Sequence, residues 1–340
     1  IGPGLHLCLP GALGPLPAAA APLLTGVAVP ALTRLVAGAG RTPVVGEWLE
    51  TVRRRANGRT AAHAAGLEPG RWCLAAPVQL IPDRDTLVVR GPEALGLERS
   101  EAEALAAGLE AFEADRGVSV TILSPERWLL RVPDHWQVPE LPPVEAIVDR
   151  RYGDVLPPRR QAADWIAWLN GLQMLLWSSP VSVAREASGL PRVSGLWVWG
   201  DGAVDIAGLS MPDRLYSDDP SVRGLASLAG AGAQPLMATA GELLTAVAAG
   251  PHGQTVVAML SPLPAVRDPG GFTAWTLALE ALDRDWLQPL AVALQRRGLP
   301  SLGLQAHARR EWRCRRSDRL RVWRRRPSLA DLCLFDAEGA

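Results

Sequence analysis

Three short apolar runs constrain this chain more than any other feature: residues 5–13 (LHLCLPGAL), 253–263 (GQTVVAMLSPL) and 299–308 (LPSLGLQAHA). Each is bounded by Gly or Pro, the pattern of a strand buried on both faces. The first runs into a turn at Pro10-Gly11. One run opens the chain and two close it, with helical patterns between them. That alternation predicts an α/β core assembled from both ends of the sequence. The stretch between them is long enough to hold a second unit.

The remaining elements follow from period and punctuation. Residues 30–40 and 43–56 read as two helices, the second starting after Pro43. Residues 72–90 (WCLAAPVQLIPDRDTLVVR) read as two strands joined by a turn at Pro82-Asp83-Arg84-Asp85, where a turn is favoured over a paired-carboxylate site. Residues 97–117 carry an amphipathic helix, with Ser100 as N-cap, Glu103 completing a capping box and Gly117 closing the end. Two strands follow in 118–132, giving a β-β-α-β-β unit. The proline-flanked 141–158 reads as a linker. In 159–179, Trp165, Trp168, Leu169, Leu172, Leu175 and Leu176 share one helical face, the signature of core packing. A strand ends at Trp199-Gly200, and 223–236 is a helix of small residues. The long helix in 270–298 is interrupted near Pro289. Residues 309–327 read as a hairpin turning at Ser317-Asp318. We expect a core from 1–70 and 251–340, interrupted by an α/β (α+β) domain over 71–250.

Composition removes several function classes. The 35 basic residues are all arginine and balance 35 acidic ones. Without lysine, Schiff-base catalysis and the P-loop lysine are excluded. Cys8, Cys73, Cys314 and Cys333 are scattered with no CxxC, so a zinc knuckle or thioredoxin motif is not expected. They read as reduced thiols of a cytoplasmic protein. Prolines at 10, 15, 17, 22 and 30 break the apolar start, and no basic leader region precedes it, so no membrane association is expected.

The order of these pieces resembles the archaeal-type, cofactor-independent phosphoglycerate mutases of the alkaline phosphatase superfamily. The stretch 42–55 (TPVVGEWLETVRRR) resembles that family's first helix. Residues 58–88 resemble its Gly-Arg and strand-pair region, and 100–112 the helix after it. SPERWLLRV (124–132) is similar to the strand whose arginine meets substrate, here Arg127. SSPVSVAREASGLPRVSGLWVWGDG (178–202) is similar to the substrate-side lip, matched at Pro180, Val181, Ser182, Arg185, Gly189, Ser194 and Trp199 to Gly202. Ser182 and Ser194 stand where the family has asparagine. ALEALDRDWLQPLAVAL (278–294) is similar to the helix beside the last metal ligands. Within this family the likeness is nearest to bacterial phosphoglycerate mutase-like, regulatory proteins. The resemblance implies an alkaline phosphatase-like three-layer core with an inserted substrate-type domain.

The family's chemistry uses a serine nucleophile between two divalent metals held by clustered Asp and His. Pro10 stands where the first strand should bring an Asp. No Ser occurs in 41–70, where the nucleophile belongs. The strand near Met259 leads to Asp268 without a histidine, and the last strand offers His307 alone. The five histidines, His6, His63, His135, His252 and His307, lie far apart in sequence.

Three readings follow. In the first, the chain is a ligand-binding or regulatory pseudoenzyme without metal cofactors. Arg127, Arg185, Ser182, Ser194, Trp199, Gly200, Asp201 and Gly202 would then contact a phosphorylated or carboxylate small molecule. The competing role for Arg185 is a pair with Glu186 or Asp201, with Trp197 and Trp199 in the core. In the second, an active mutase or phosphatase uses divalent metals held by Asp201, Asp205, Asp268 and His307. In the third, Arg313, Arg315, Arg316, Arg321, Arg324 and Arg325 of the arginine-rich 309–326 bind an acidic protein partner, or less favourably a nucleic acid. The bland alternative there is charge guarding a sheet edge.

Overall fold

The computed structural model describes residues 4–42, 46–264, 266, 269–307, 310–320 and 326–334. In chain order it begins with β1 (Gly4–Cys8), α1 (Pro30–Gly38), β2 (Gly40–Thr42), α2 (Gly46–Arg55) and α3 (Gly58–Ala64). Then come β3 (Trp72–Asp83), β4 (Thr86–Arg90), α4 (Arg99–Phe112), β5 (Ser119–Ser124) and β6 (Arg127–Arg131). After α5 (Tyr152–Val155), α6 (Arg159–Ser178), α7 (Pro180–Ala187) and β7 (Gly195–Trp199), the chain makes β8 (Arg214–Ser217), α8 (Pro220–Leu228), β9 (Gly232–Gln234) and α9 (Ala240–Ala248). It closes with β10 (Thr255–Met259), α10 (Pro269–Leu282), α11 (Gln288–Gln295), β11 (Leu302–His307), β12 (Arg310–Cys314) and α12 (Leu329–Leu332).

Two units form. One comprises Ile1–Arg54 with Ile206–Ala340, the other Arg55–Asp205. The first holds a seven-stranded sheet, ordered β2-β12-β11-β1-β10-β8-β9. Its five central and right-hand strands are parallel, and β12 and β2 add antiparallel at one edge. The three runs that opened the sequence analysis are the neighbours β11, β1 and β10. Alternation gives each strand two buried faces. Leu5, Leu7, Val256, Ala258, Leu302 and Leu304 pack with α1, α9, α10, α11 and α12 in one core. On the other face Leu215 and Val257 are buried, as are Val222, Leu225 and Ala226 of α8. This is the three-layer α/β core with an inserted domain that was expected.

The boundaries at 70/71 and 250/251 give way to 54/55 and 205/206. β8, α8, β9 and α9 belong to the seven-stranded sheet through the pairing of β8 with β10. β8 has only four residues and β9 three, too short for a period to show. The insertion has its own sheet, β4-β3-β6-β5 with β7 also on β3, and its own core. The β3–β4 turn falls at Arg84-Asp85, with Arg84 at φ 54. The α6 face is buried at Trp165, Trp168, Leu169, Leu172 and Leu176, while Leu175 is half-buried. Residues 141–158 are no linker: Val144, Ile147, Tyr152 and Val155 pack into the insertion's core. The hairpin at Ser317-Asp318 is also corrected. β12 forms its hairpin with β11, residues 316–320 are a 3-10 turn, and Arg321, Arg324 and Arg325 lie outside the described residues. Because β2 covers β12, the described arginines do not guard an edge strand. Among the described residues no single helix is long and apolar enough to cross a membrane.

The interruption of the long C-terminal helix has a structural use. Pro289 donates no N–H, and the turn before it, Asp283–Leu287, opens into a π-helix. That turn aims buried Asp283 at the start of α1, whose own cap residue, Val29, has no polar side chain. Asp283 accepts from Ala31 N at 3.0 Å and Leu32 N at 2.6 Å. Burial raises its pKa, and those two bonds pull it back. Asp283→Ala is expected to cost about 2–3 kcal/mol by stripping two buried donors. A raised pKa means the folded state holds the proton longer than the unfolded one. The contribution of Asp283 is therefore fully present at low pH and declines as pH rises through the folded value. Urea unfolding of the wild type and Asp283→Asn from pH 4 to 8 measures this. The wild-type advantage must shrink with rising pH; a flat or growing difference contradicts the assignment.

Candidate anion-binding site

Within the insertion, the expected lip residues gather around the end of β7. Trp199 is buried and pairs with Leu74 of β3. Gly200 turns the chain at φ 70, a conformation that favours glycine. Its carbonyl accepts from Gly58 N at 2.9 Å. Gly58 is equally constrained: a Cβ there would lie 2.2 Å from the Trp72 carbonyl oxygen. Asn57 caps α3 through Thr60 and donates to the Gly202 and Ala203 carbonyls at 3.3 and 3.4 Å. The Asn57–Gly58–Arg59 corner is thus tied to Gly200–Ala203.

Arg71 grips Asp201 through Nε and Nη2, and its Nη1 donates to Asp134 and Trp136 carbonyls. The hydrogen bond to Asp201 raises the Arg71 pKa further, so the guanidinium stays charged. Arg127 lies over the Trp199 ring, 5.8 Å from its centroid, and pairs with Glu145 at 2.5 Å. Glu93 is close enough to feel Glu126, Glu145 and Arg127; burial first, then those carboxylates, raises its pKa. An anion at Arg127 therefore competes with carboxylates already present.

The other expected residues are engaged in holding the fold. Ser182 and Ser194 are buried: Ser182 Oγ donates to Val193 O at 3.0 Å and Ser194 Oγ accepts from Leu80 N at 2.7 Å. Arg185, 2 % exposed, donates to Glu101 at 2.6 Å, to Pro191 O at 2.8 Å and to Leu95 O. Its acid is Glu101, while Glu186 pairs with Arg192 and Asp201 with Arg71. Arg59 was missed. Its Nε is buried without a hydrogen-bond partner among the described residues, one residue from the Gly58 N bonded to Gly200 O. The Gly-Arg pair after a capping Asn was the available signal.

At the carboxyl ends of the parallel strands stand Cys8, Leu9 and Pro10 after β1, Leu260 after β10 and Gln305 to His307 on β11. After β8, Asp219 caps α8 through Ser221 N, and Asp218 accepts from Leu236 N. Asp205 pairs with Arg55 at 3.5 Å. Asp268 and the His307 side chain lie outside the described residues. Among the described residues no three His, Cys, Asp or Glu side chains are grouped so as to hold a metal ion. The donors described there are not arranged as a two-metal centre requires. What the strands do carry is a buried polar row. His6 Nδ1 donates to Glu311 Oε1 at 3.1 Å across Gly303, and Cys8 Sγ donates to Gln305 at 3.7 Å. All four cysteines are buried. Burial pushes the Cys8, Cys73 and Cys333 thiols up to about 12, and Cys314 upward as well. None is an activated nucleophile.

No family model and no curated protein matches this sequence. Solved structures do. The PH0037 protein from Pyrococcus horikoshii aligns over 97% of this chain and 92% of its own, with a TM-score of 0.54 and 13% identity. The two chains share their fold along nearly the whole length. A cofactor-independent phosphoglycerate mutase from Thermoplasma acidophilum DSM 1728 aligns over 92% of this chain and 89% of its own, with 17% identity and a TM-score of 0.38, below the level of a shared fold.

Proposed function

We propose that this chain is a phosphoglycerate mutase-like pseudoenzyme that binds a small phosphorylated or carboxylate anion and does not turn it over. The observation that carries the reading is β1. In the family it resembles, the first strand delivers a metal-binding Asp; here β1 ends at Cys8 and runs into Leu9-Pro10-Gly11. Proline offers no ligand atom. Asp218, Asp219, Asp201 and Asp205 hold structural bonds, which supports the same reading. A binding role rests on the corner formed by Arg59, Gly200 and Gly202, with Arg127 stacked over Trp199. An Arg fork with an unfilled buried Nε suits an oxyanion. The nearer kinship with bacterial regulatory proteins, and a cytoplasmic location, belong to this proposal.

Metal analysis after dialysis against Mn²⁺, a mutase assay and thermal shift with 3-phosphoglycerate and inorganic phosphate test it. Expected are substoichiometric metal, no turnover, and a rise in Tm with either anion that Arg59→Ala abolishes. Two Mn²⁺ per chain with mutase turnover would establish the active alternative instead. No shift with either anion would remove the binding role.

A further inference from the structure

In the unit that holds the seven-stranded sheet, Arg214 carries a guanidinium edge that nothing fills. Arg214 opens β8, in register with Val256 of β10, at the amino ends of the parallel strands. Cys8 and Gln305 stand at the opposite, carboxyl ends. Arg214 Nη1 donates to the Ala246 carbonyl in the last turn of α9 at 2.9 Å and to Tyr216 Oη at 3.2 Å. Those two bonds fix the plane of the group. Nε and Nη2, on its other edge, are buried and have no hydrogen-bond partner among the described residues. The neighbouring Asp213 does not answer the charge, because its carboxylate accepts from Thr255 N at 2.7 Å. A cation edge shut away from water is costly unless its N–H groups are filled.

The shape of this edge indicates what fills it. Nε and Nη2 form a fork that matches the two oxygens of one carboxylate. Arg71 shows the match within the same chain, where its Nε and Nη2 hold both oxygens of Asp201. Gly250 lies against the Arg214 fork. A Cβ there would stand 2.1 Å from Nη2 and 2.7 Å from Cζ, so any side chain would press on the group. The turn that Gly250 begins continues through Pro251, His252 and Gly253, all exposed, with Gly253 at φ 86. Solvent therefore bounds the outer side of this turn.

One further atom narrows the ligand. Gln254 stands two residues before Val256, the register partner of Arg214, so it shares that face of the sheet. Its Oε1 is also buried without a hydrogen-bond partner among the described residues. The face thus offers two donors to a carboxylate and, one pleat away, an acceptor to a hydroxyl. A 2-hydroxycarboxylate carries both groups on adjacent carbons. We propose that Arg214, Gly250 and Gln254 form a second binding site, for a small 2-hydroxycarboxylate of the size of glycolate, which enters as the turn at 250–253 swings outward. The site does not rest on the anion-binding role proposed for Arg59.

Equilibrium dialysis of the wild-type and Arg59→Ala chains against radiolabelled glycolate and acetate tests the inference. In the Arg59→Ala chain we expect one glycolate with a Kd on the order of 1 mM, the range open to so small a ligand, and acetate at least ~5-fold weaker. Gly250→Ala, which crowds the fork, and Arg214→Lys, which keeps the charge without the fork, should each weaken glycolate at least ~10-fold. Gln254→Leu should retain binding and lose the preference over acetate. Circular dichroism and Tm show that each variant is folded. No glycolate bound by the wild type at ~10 mM overturns the inference. So does binding that survives both Gly250→Ala and Arg214→Lys. Binding by the wild type that Arg59→Ala abolishes also overturns it, and gives the ligand to the β7 corner. Equal affinities for glycolate and acetate overturn the 2-hydroxy assignment.

Discussion

Arg185→Leu is expected to destabilise the insertion by about 3–5 kcal/mol, one of the two largest single-residue effects in this chain. The guanidinium is 2 % exposed and reaches three acceptors on separate segments. Nη1 meets Glu101 at the start of α4, Nη2 meets the Leu95 carbonyl before it, and Nε meets the Pro191 carbonyl after α7. Removing it leaves two carbonyls and a carboxylate without their donor. The carboxylate of Glu101 also accepts from Glu98 N at 2.9 Å, so loosening Arg185 frays the start of α4. Arg185→Lys restores a charge but not a planar fork, and should recover less than half of the loss. Chemical denaturation followed by tryptophan fluorescence reads the change, since the insertion's core is rich in tryptophan. Anion-induced Tm shifts, measured well below the variant's midpoint, read the other possibility. A variant of wild-type stability that no longer responds to phosphate would return Arg185 to the ligand-contacting set.

The same residue explains why part of the structure was legible and part was not. The α6 face, the β3–β4 turn and the three core strands rest on local pattern: helical spacing, a Pro-Asp-Arg-Asp turn, and apolar runs between glycines and prolines. Those signals need no partner to be read. The start of α4 is different. Ser100 with Glu103 is a sound local capping box, yet the pair that forms is Glu98 with Glu101, two residues earlier. Glu101 is fixed by Arg185, 84 residues away in sequence, and a tertiary ion pair outweighs a local preference worth about 1 kcal/mol. Glu103 instead pairs with Arg99 on the helix surface. α7 was legible and went unread: Ser179 caps it through Ser182 N, and Pro180 takes the first position. In the candidate site, an arginine reads alike whether it grips a ligand or a carbonyl. Position along the chain separates Arg59 from Arg185 in no way; only their partners do.

His6 should prove equally costly, and its test turns on an asymmetry. Cys8, Gln305 and Glu311 lie in register across β1, β11 and β12, with His6 one row below. His6 and Glu311 are 6% and 3% exposed. Glu311 Oε1 receives the imidazole N–H, while Oε2 is buried with no hydrogen-bond partner among the described residues. The carboxylate therefore relies on His6 for the bond at Oε1. His6→Leu should cost about 3 kcal/mol, because it takes the hydrogen-bond donor away from a buried carboxylate. Glu311→Gln keeps an acceptor for the imidazole and removes the charge, so its cost should stay near 1 kcal/mol. In the double variant, the Leu has no stranded charge beside it. Its cost should fall well below the sum of the singles, giving a coupling of at least about 1.5 kcal/mol by double-mutant cycle in urea. Gly303→Ala is a third probe of the same contact. Its Cβ would sit 2.3 Å from His6 Nδ1 and 3.0 Å from Glu311 Oε1, so it must push the pair apart without altering either charge. Additive effects across the cycle would mean that the row is merely packed. Strong coupling would mean that this sheet, whose first strand ends in a proline that can bind no metal, keeps its buried charge as part of its own architecture.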